Sequence, residues 1–249
     1  MRTLGVDLAA SPKKTAVAVL DWGPEGAGLA ELRLGATDED IVALVEAGDC
    51  TGVDCPLGWP AQLVPFLRGH LGPDAAAVLA HDGPEGRRTL AYRETDRFVA
   101  ALLHLVPMSV SADRLAHVAM RCAVIQAKLA RTARPRRRDG SDGFAEVYPA
   151  ASLKAWGISP RGYKGTSAEA RAVRGAALRS LQEQAPWLRL NGFAGQLLAS
   201  DDLHDALIAS LSARAAATGR THPVPARLAA AAEEEGWIHV PDSALADLL

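Results

Sequence analysis

The chain has 249 residues, 27 Lys and Arg against 29 Asp and Glu, a formal charge of −2 and 49% hydrophobic residues. Those proportions exclude a disordered, collagenous or coiled-coil chain, and the near balance of charge excludes an obligate coat of basic residues for nucleic acid, leaving only a local patch. At this length one core buries about 70 to 75% of the surface that the unfolded chain exposes, so neither disulfide nor metal is needed to hold the fold.

No run reaches the roughly 18 to 20 apolar residues of a membrane span, and Met1-Arg2-Thr3-Leu4-Gly5-Val6-Asp7 lacks the apolar core of a signal peptide. The expectation is a cytoplasmic protein with no membrane partner. Cys50, Cys55 and Cys122 form an odd set without zinc-ligand spacing, which fits free thiols that pack.

Arg2 to Ala9 reads as a strand apolar on both faces apart from Asp7, as in the middle of a sheet. After the break at Ser11-Pro12 come two more β runs, Thr15 to Leu20 and Leu29 to Leu34, joined by glycine-bearing turns as an antiparallel meander. Thr37 and Asp40 have the spacing of a capping box, and Ile41, Leu44 and Val45 give the helix that follows one apolar face. A fourth strand, Thr51 to Cys55, stops at Pro56, and a strand–helix–strand unit favours parallel pairing with a right-handed crossover.

Residues from about 60 to 142 read as a helical insertion, ending in a helix over Leu115 to Ala133 and the basic loop Arg134 to Arg138. A fifth strand spans Phe144 to Tyr148. Thr166 with Glu169 predicts a capped helix to Gln184, and Ser200-Asp201-Asp202 opens another to Ala217. Beyond about residue 218 lies a C-terminal extension, an Ala/Glu helix followed by a surface strand or extended segment over Gly236 to Pro241. No repeat or linker marks a second domain, so residues 1 to 249 are expected to form one.

Asp7 and Asp54 each interrupt an apolar strand near its end, and a buried carboxylate is costly unless it is paired, hydrogen-bonded or metal-bound. Parallel neighbours would bring both to the carboxyl ends of the sheet, where open α/β sheets bind ligands. Glu146 repeats the pattern on the fifth strand, although alternation also allows Glu146 and Tyr148 to share a solvent face. Asp202 and Asp205 lie three apart on one helix, on one face, and Asp201 and Asp202 equally suit the positive end of that helix. Carboxylates gathered without cations would be driven to protonate, so convergence implies Mg²⁺ or Mn²⁺, and two such ions about 3.5 to 4 Å apart can clamp a phosphodiester.

Six segments carry a resemblance. They are Gly5-Val6-Asp7-Leu8-Ala9, Gly52-Val53-Asp54-Cys55-Pro56-Leu57-Gly58, Tyr92-Arg93-Glu94-Thr95-Asp96, Glu146-Val147-Tyr148-Pro149, Tyr163-Lys164-Gly165 and Asp202-Leu203-His204-Asp205-Ala206. Together, and in this order, they resemble domain-of-unknown-function family 429, described as ribonuclease H-like nucleases. The resemblance implies an α/β ribonuclease H-like fold with a five-stranded mixed sheet flanked by helices. It implies metal ligands at Asp7, Asp54 and Asp205, with Asp202 and Glu146 assisting catalysis, and a nucleic acid substrate, DNA or RNA. An actin-like or sugar-kinase-like nucleotide-binding protein is the rival, but Gly5 to Ala10 lacks glycines after the acid to admit a phosphate. A non-catalytic binding module of the same fold is the third reading.

Arg93, with Asp96, can present a guanidinium fork to a substrate phosphate; equally, Thr95 can cap a helix whose first turn holds Asp96. Lys164 is a phosphate contact or an ordinary turn lysine. His204 is expected on an exposed helix face, with a role in proton transfer as the alternative.

Overall fold

The computed structural model describes residues 1–132 and 135–249. Its centre is a mixed sheet of β1 (Arg2–Asp7), β2 (Ala16–Gly23), β3 (Gly26–Leu34), β4 (Cys50–Asp54), β5 (Phe144–Glu146) and β6 (Leu188–Arg189), in the order β5-β4-β1-β2-β3-β6. β1, β4 and β5 run parallel; β2 is antiparallel to both neighbours, β1 and β3. The helices are α1 (Asp38–Ala47), α2 (Leu63–Leu71), α3 (Ala75–Leu79), α4 (Gly83–Ala91), α5 (Glu94–Leu103), α6 (Leu115–Thr132), α7 (Pro149–Ala155), α8 (Ala168–Gln184), α9 (Ala194–Ala199), α10 (Asp201–Ala217) and α11 (Ala229–Glu235).

The sheet has six strands, not five. Two residues of β6 pair in parallel with Ala27 and Gly28 at the outer edge of β3, a ladder too short to leave a periodic pattern in sequence. Two layers cover the faces. On one side Leu4, Val6, Val17, Val19 and Val53 pack against Ile41 and Val45 of α1 and against Cys122, Ile125 and Leu129 of α6. On the other, Ala18, Leu20 and Leu29 pack against α8 and α10. The segment expected to be an insertion therefore supplies α6 to the core layer itself.

Local signals explain most element starts. Thr37 and Asp40 form the expected capping box, with Asp40 accepting from the Thr37 N–H at 2.8 Å. Ser200 caps α10 by accepting from the Leu203 N–H. For α8 the cap is Ser167, which accepts from Ala170 N–H, rather than Thr166. Thr95 does not cap α5: the helix begins at Glu94, and the Thr95 hydroxyl accepts from Ile238 N–H instead. The C-terminal segment is not at the surface, because Trp237, Ile238 and Val240 are buried and Ile238 bridges Glu146 at the outer edge of β5.

Candidate metal centre

Asp7 and Asp54 are paired residues in the parallel β1–β4 ladder, and so are Gly5 and Gly52. Partners in a parallel ladder point to the same face, and here that face carries α10. A Cβ added at Gly5 would lie 2.0 Å from the Ala206 carbonyl oxygen, and one at Gly52 would lie 2.4 Å from that of Ala209. Both glycines thus let α10 rest directly on strand backbone. Thr3 and Ser210 share a hydrogen bond at 2.8 Å, and the Cys50 thiol donates to the Ala213 carbonyl.

The helix therefore runs antiparallel to these strands in matched steps. Two residues of strand span about 6.6 Å and four residues of helix about 6.0 Å, so alternate strand residues meet every fourth helical one. Along β4, Cys50 and Gly52 face Ala213 and Ala209, and the next step sets Asp54 beside Asp205. Along β1, Thr3 and Gly5 face Ser210 and Ala206, and the next step sets Asp7 toward Asp202. One oxygen each from Asp7, Asp54 and Asp205 lies within 4.8 Å of the other two.

Burial, then the neighbouring carboxylates of Asp205 and Asp54, raises Asp7 well above the usual carboxylate range. The same two causes, burial first and Asp205 second, push Asp54 up to about 7. Asp205 is fully buried and also raised by burial, with Lys164 and Tyr163 pulling the other way. The Tyr163 hydroxyl donates to Asp205 Oδ1 at 2.9 Å, and the Lys164 ammonium contacts Oδ2. Asp202 is partly buried and raised by burial and by Asp201. It stands outside the three-oxygen cluster, at its Asp7 side, where its charge still raises Asp7.

Glu146 does not join them. It pairs in register with Val53, whose side chain belongs to the layer under α6, so parity turns Glu146 away from α10. Arg93 Nη2 donates to Glu146 Oε1 at 2.6 Å and Nη1 to Oε2 at 2.8 Å, while Leu57 N–H also reaches Oε2. The remaining Arg93 donors go to Asp96 and to the Glu235 carbonyl, so all five N–H groups are taken and the side chain is buried. Arg93 and Asp96, expected to hold a substrate phosphate, have no free donor to offer. Glu146, expected to assist catalysis, is the carboxylate that neutralises that buried guanidinium.

The chain belongs to the protein family of unknown function DUF429. The match covers residues 5–230, which bears out the family resemblance carried by the six segments. No curated protein and no solved structure matches the chain.

The chain carries a cleft of about 490 Å³ beside the clustered acids, with Pro56, Pro107, Met108, Tyr148 and Pro160 among its walls and Lys164 at its edge. A second hollow, about 440 Å³, opens near the other ends of the strands around Asp49, Arg136 and Asp142 and contains none of the clustered acids. Of the basic run, Arg134 lies outside the described residues. Arg137 pairs with Asp139 and Glu233, and Arg138 donates to the Glu234 carbonyl. His204 is buried rather than exposed, tilted against the Tyr163 ring at 5.7 Å, and burial lowers its pKa to about 4.

Sequence reasoning missed Tyr163 as a partner of Asp205, and Arg174, whose buried guanidinium donates to the Tyr163 and Gly165 carbonyls. It also missed the duplicated Gly-Val-Asp of Gly5-Val6-Asp7 and Gly52-Val53-Asp54, which opposes the small residues Ala206, Ala209, Ser210 and Ala213. That duplication was the legible signal for two acids under one helix.

Proposed function

We propose that the protein is a metal-dependent phosphodiesterase, a nuclease of ribonuclease H-like fold acting on DNA or RNA. One observation carries this reading: carboxylates from β1, β4 and α10, distant in sequence, converge within 4.8 Å on two adjacent parallel strand ends. The order of acids, on the first strand, the fourth strand and a helix late in the chain, is the one that the family resemblance implies.

Three carboxylate oxygens are the hard donors that Mg²⁺ or Mn²⁺ takes, and burial and mutual repulsion oppose the charged forms of Asp7 and Asp54, a cost that a bound cation would offset. Asp7, Asp54 and Asp205 would hold the cation, with Asp202 adding negative charge at the Asp7 side. The chemistry such cations supply is charge neutralisation and activation of water for in-line attack on phosphorus. The protein fixes Asp205 through the Tyr163 hydroxyl, so one ligand is oriented before any ion arrives. The adjoining cleft has the volume for a nucleotide-sized group, with its apolar walls beside the acids.

The test is incubation of the purified protein with labelled single-stranded, duplex and branched DNA and RNA in Mg²⁺ or Mn²⁺. Cleavage that is lost in EDTA and lost in Asp7→Asn is the expected result. Equal cleavage by Asp7→Asn would remove these acids from the mechanism.

A further inference from the structure

Lys164 sits on the turn between α7 and α8, between Gly162 at φ +79° and Gly165 at φ +96°. Its backbone is held on both sides. Buried Arg174 donates to the carbonyls of Tyr163 and Gly165, and Gly165 N–H donates to Asp201 at 3.0 Å. Its side chain is different, being 56% exposed along its length while the ammonium rests on fully buried Asp205. A fixed base with a long, solvated arm can place a charge in the site or withdraw it without reordering the loop.

Both Asp205 oxygens are already engaged, Oδ1 by the Tyr163 hydroxyl and Oδ2 by this ammonium. A divalent cation entering among Asp7, Asp54 and Asp205 meets a positive charge on one of its own ligands. At a few ångströms two cations repel by several kcal/mol even at the effective dielectric of a protein surface. That repulsion favours withdrawal of the ammonium, and the edge of the cleft, which Lys164 also lines, has room for it.

We propose that Lys164 is a displaceable internal counterion: its ammonium neutralises the carboxylate set while no divalent cation is bound, and it swings into the cleft when one enters. This deepens the metal-dependent reading and rests on it. The two cations then compete, so the affinity for a metal is set partly by how tightly Lys164 holds Asp205.

Mn²⁺ binding to wild type, Lys164→Met and Lys164→Arg, followed by calorimetry and by the spin-resonance signal of free Mn²⁺, tests the proposal. Lys164→Met is expected to bind Mn²⁺ about tenfold more tightly than wild type, within the range of coupling between two ligands, while Lys164→Arg keeps the charge and stays weak. Lys164→Met that is folded yet binds Mn²⁺ no more tightly than wild type overturns the counterion role and leaves the metal site standing. No Mn²⁺ binding by wild type or by any Lys164 variant overturns the metal reading as well. Should Lys164→Met not fold, a wild-type crystal soaked in Mn²⁺ decides: an ion among the three acids with Lys164 still on Asp205 refutes displacement, and an ion with the ammonium moved into the cleft supports it.

Discussion

Replacing Asp54 by Asn should stabilise the ion-free protein above neutral pH, which is the reverse of what truncating a structural acid does. Asp54 titrates at about 7 in the folded chain because burial and Asp205 oppose its charge. An unfolded Asp titrates near 3.9, so about three units separate the two states, worth about 4 kcal/mol at 1.36 kcal/mol per unit. Water reaches one side of Asp54, and discounting for that screening leaves about 2 kcal/mol. Between about pH 4 and 7 the folded state keeps a proton that the unfolded state has released, so wild-type stability falls as pH rises through that window. Asn carries no such charge. At about 2 to 4 °C per kcal/mol for a chain of this size, Asp54→Asn should melt about 4 to 8 °C above wild type at pH 8 in EDTA, and level with it near pH 4.

Adding Mn²⁺ should invert the ranking. At a hundred times its Kd an ion adds about 2.7 kcal/mol to wild type, or roughly 5 to 11 °C, while Asp54→Asn has lost a ligand and gains little. The assay is thermal unfolding at both pH values, with and without Mn²⁺. An Asp54→Asn protein that melts at or below wild type in EDTA at pH 8, or that gains the same shift from Mn²⁺, would refute the idea that Asp54 is held in an unfavourable charged state awaiting a cation.

Arg93→Ala strands Glu146 and Asp96 as buried carboxylates and should cost about 3 to 5 kcal/mol, read as a loss of soluble protein or a melting point lowered by roughly 6 °C or more. An unchanged melting point would instead return Arg93 to the role of a substrate contact. Gly5→Ala puts a methyl into the Ala206 carbonyl and must lift α10, so a loss of about 1 to 3 kcal/mol should come with a diminished Mn²⁺ shift. If Gly5→Ala loses stability but keeps the full Mn²⁺ shift, the acids are not positioned by the contact between helix and strand.

Several features of this protein were settled by its residues alone. Apolar runs too short for helices, each interrupted by one acid, mark β1 and β4 because burial on both faces demands such runs. Thr37, Asp40 and Ser200 announce helix starts because capping is satisfied within four residues. The duplicated Gly-Val-Asp carries the rest of the site in compressed form, since a strand's period of two places each acid on the same face as its glycine.

Tertiary structure alone decided which acids meet one another and which meet an arginine. Asp7, Asp54 and Glu146 look alike on three strands, yet the ladder register turns Glu146 to the opposite face, where Arg93, 53 residues earlier, is waiting. His204 and Asp205 adjoin on α10, a helix buried on nearly all sides, so no polar stripe tells which way either one faces. β6 exists because Leu188 finds the open edge of β3, a contact between residues 161 apart in sequence. Local propensity acts over a few residues, whereas pairing of charges and closure of sheet edges depend on where the chain returns, and that is determined only when the layers pack.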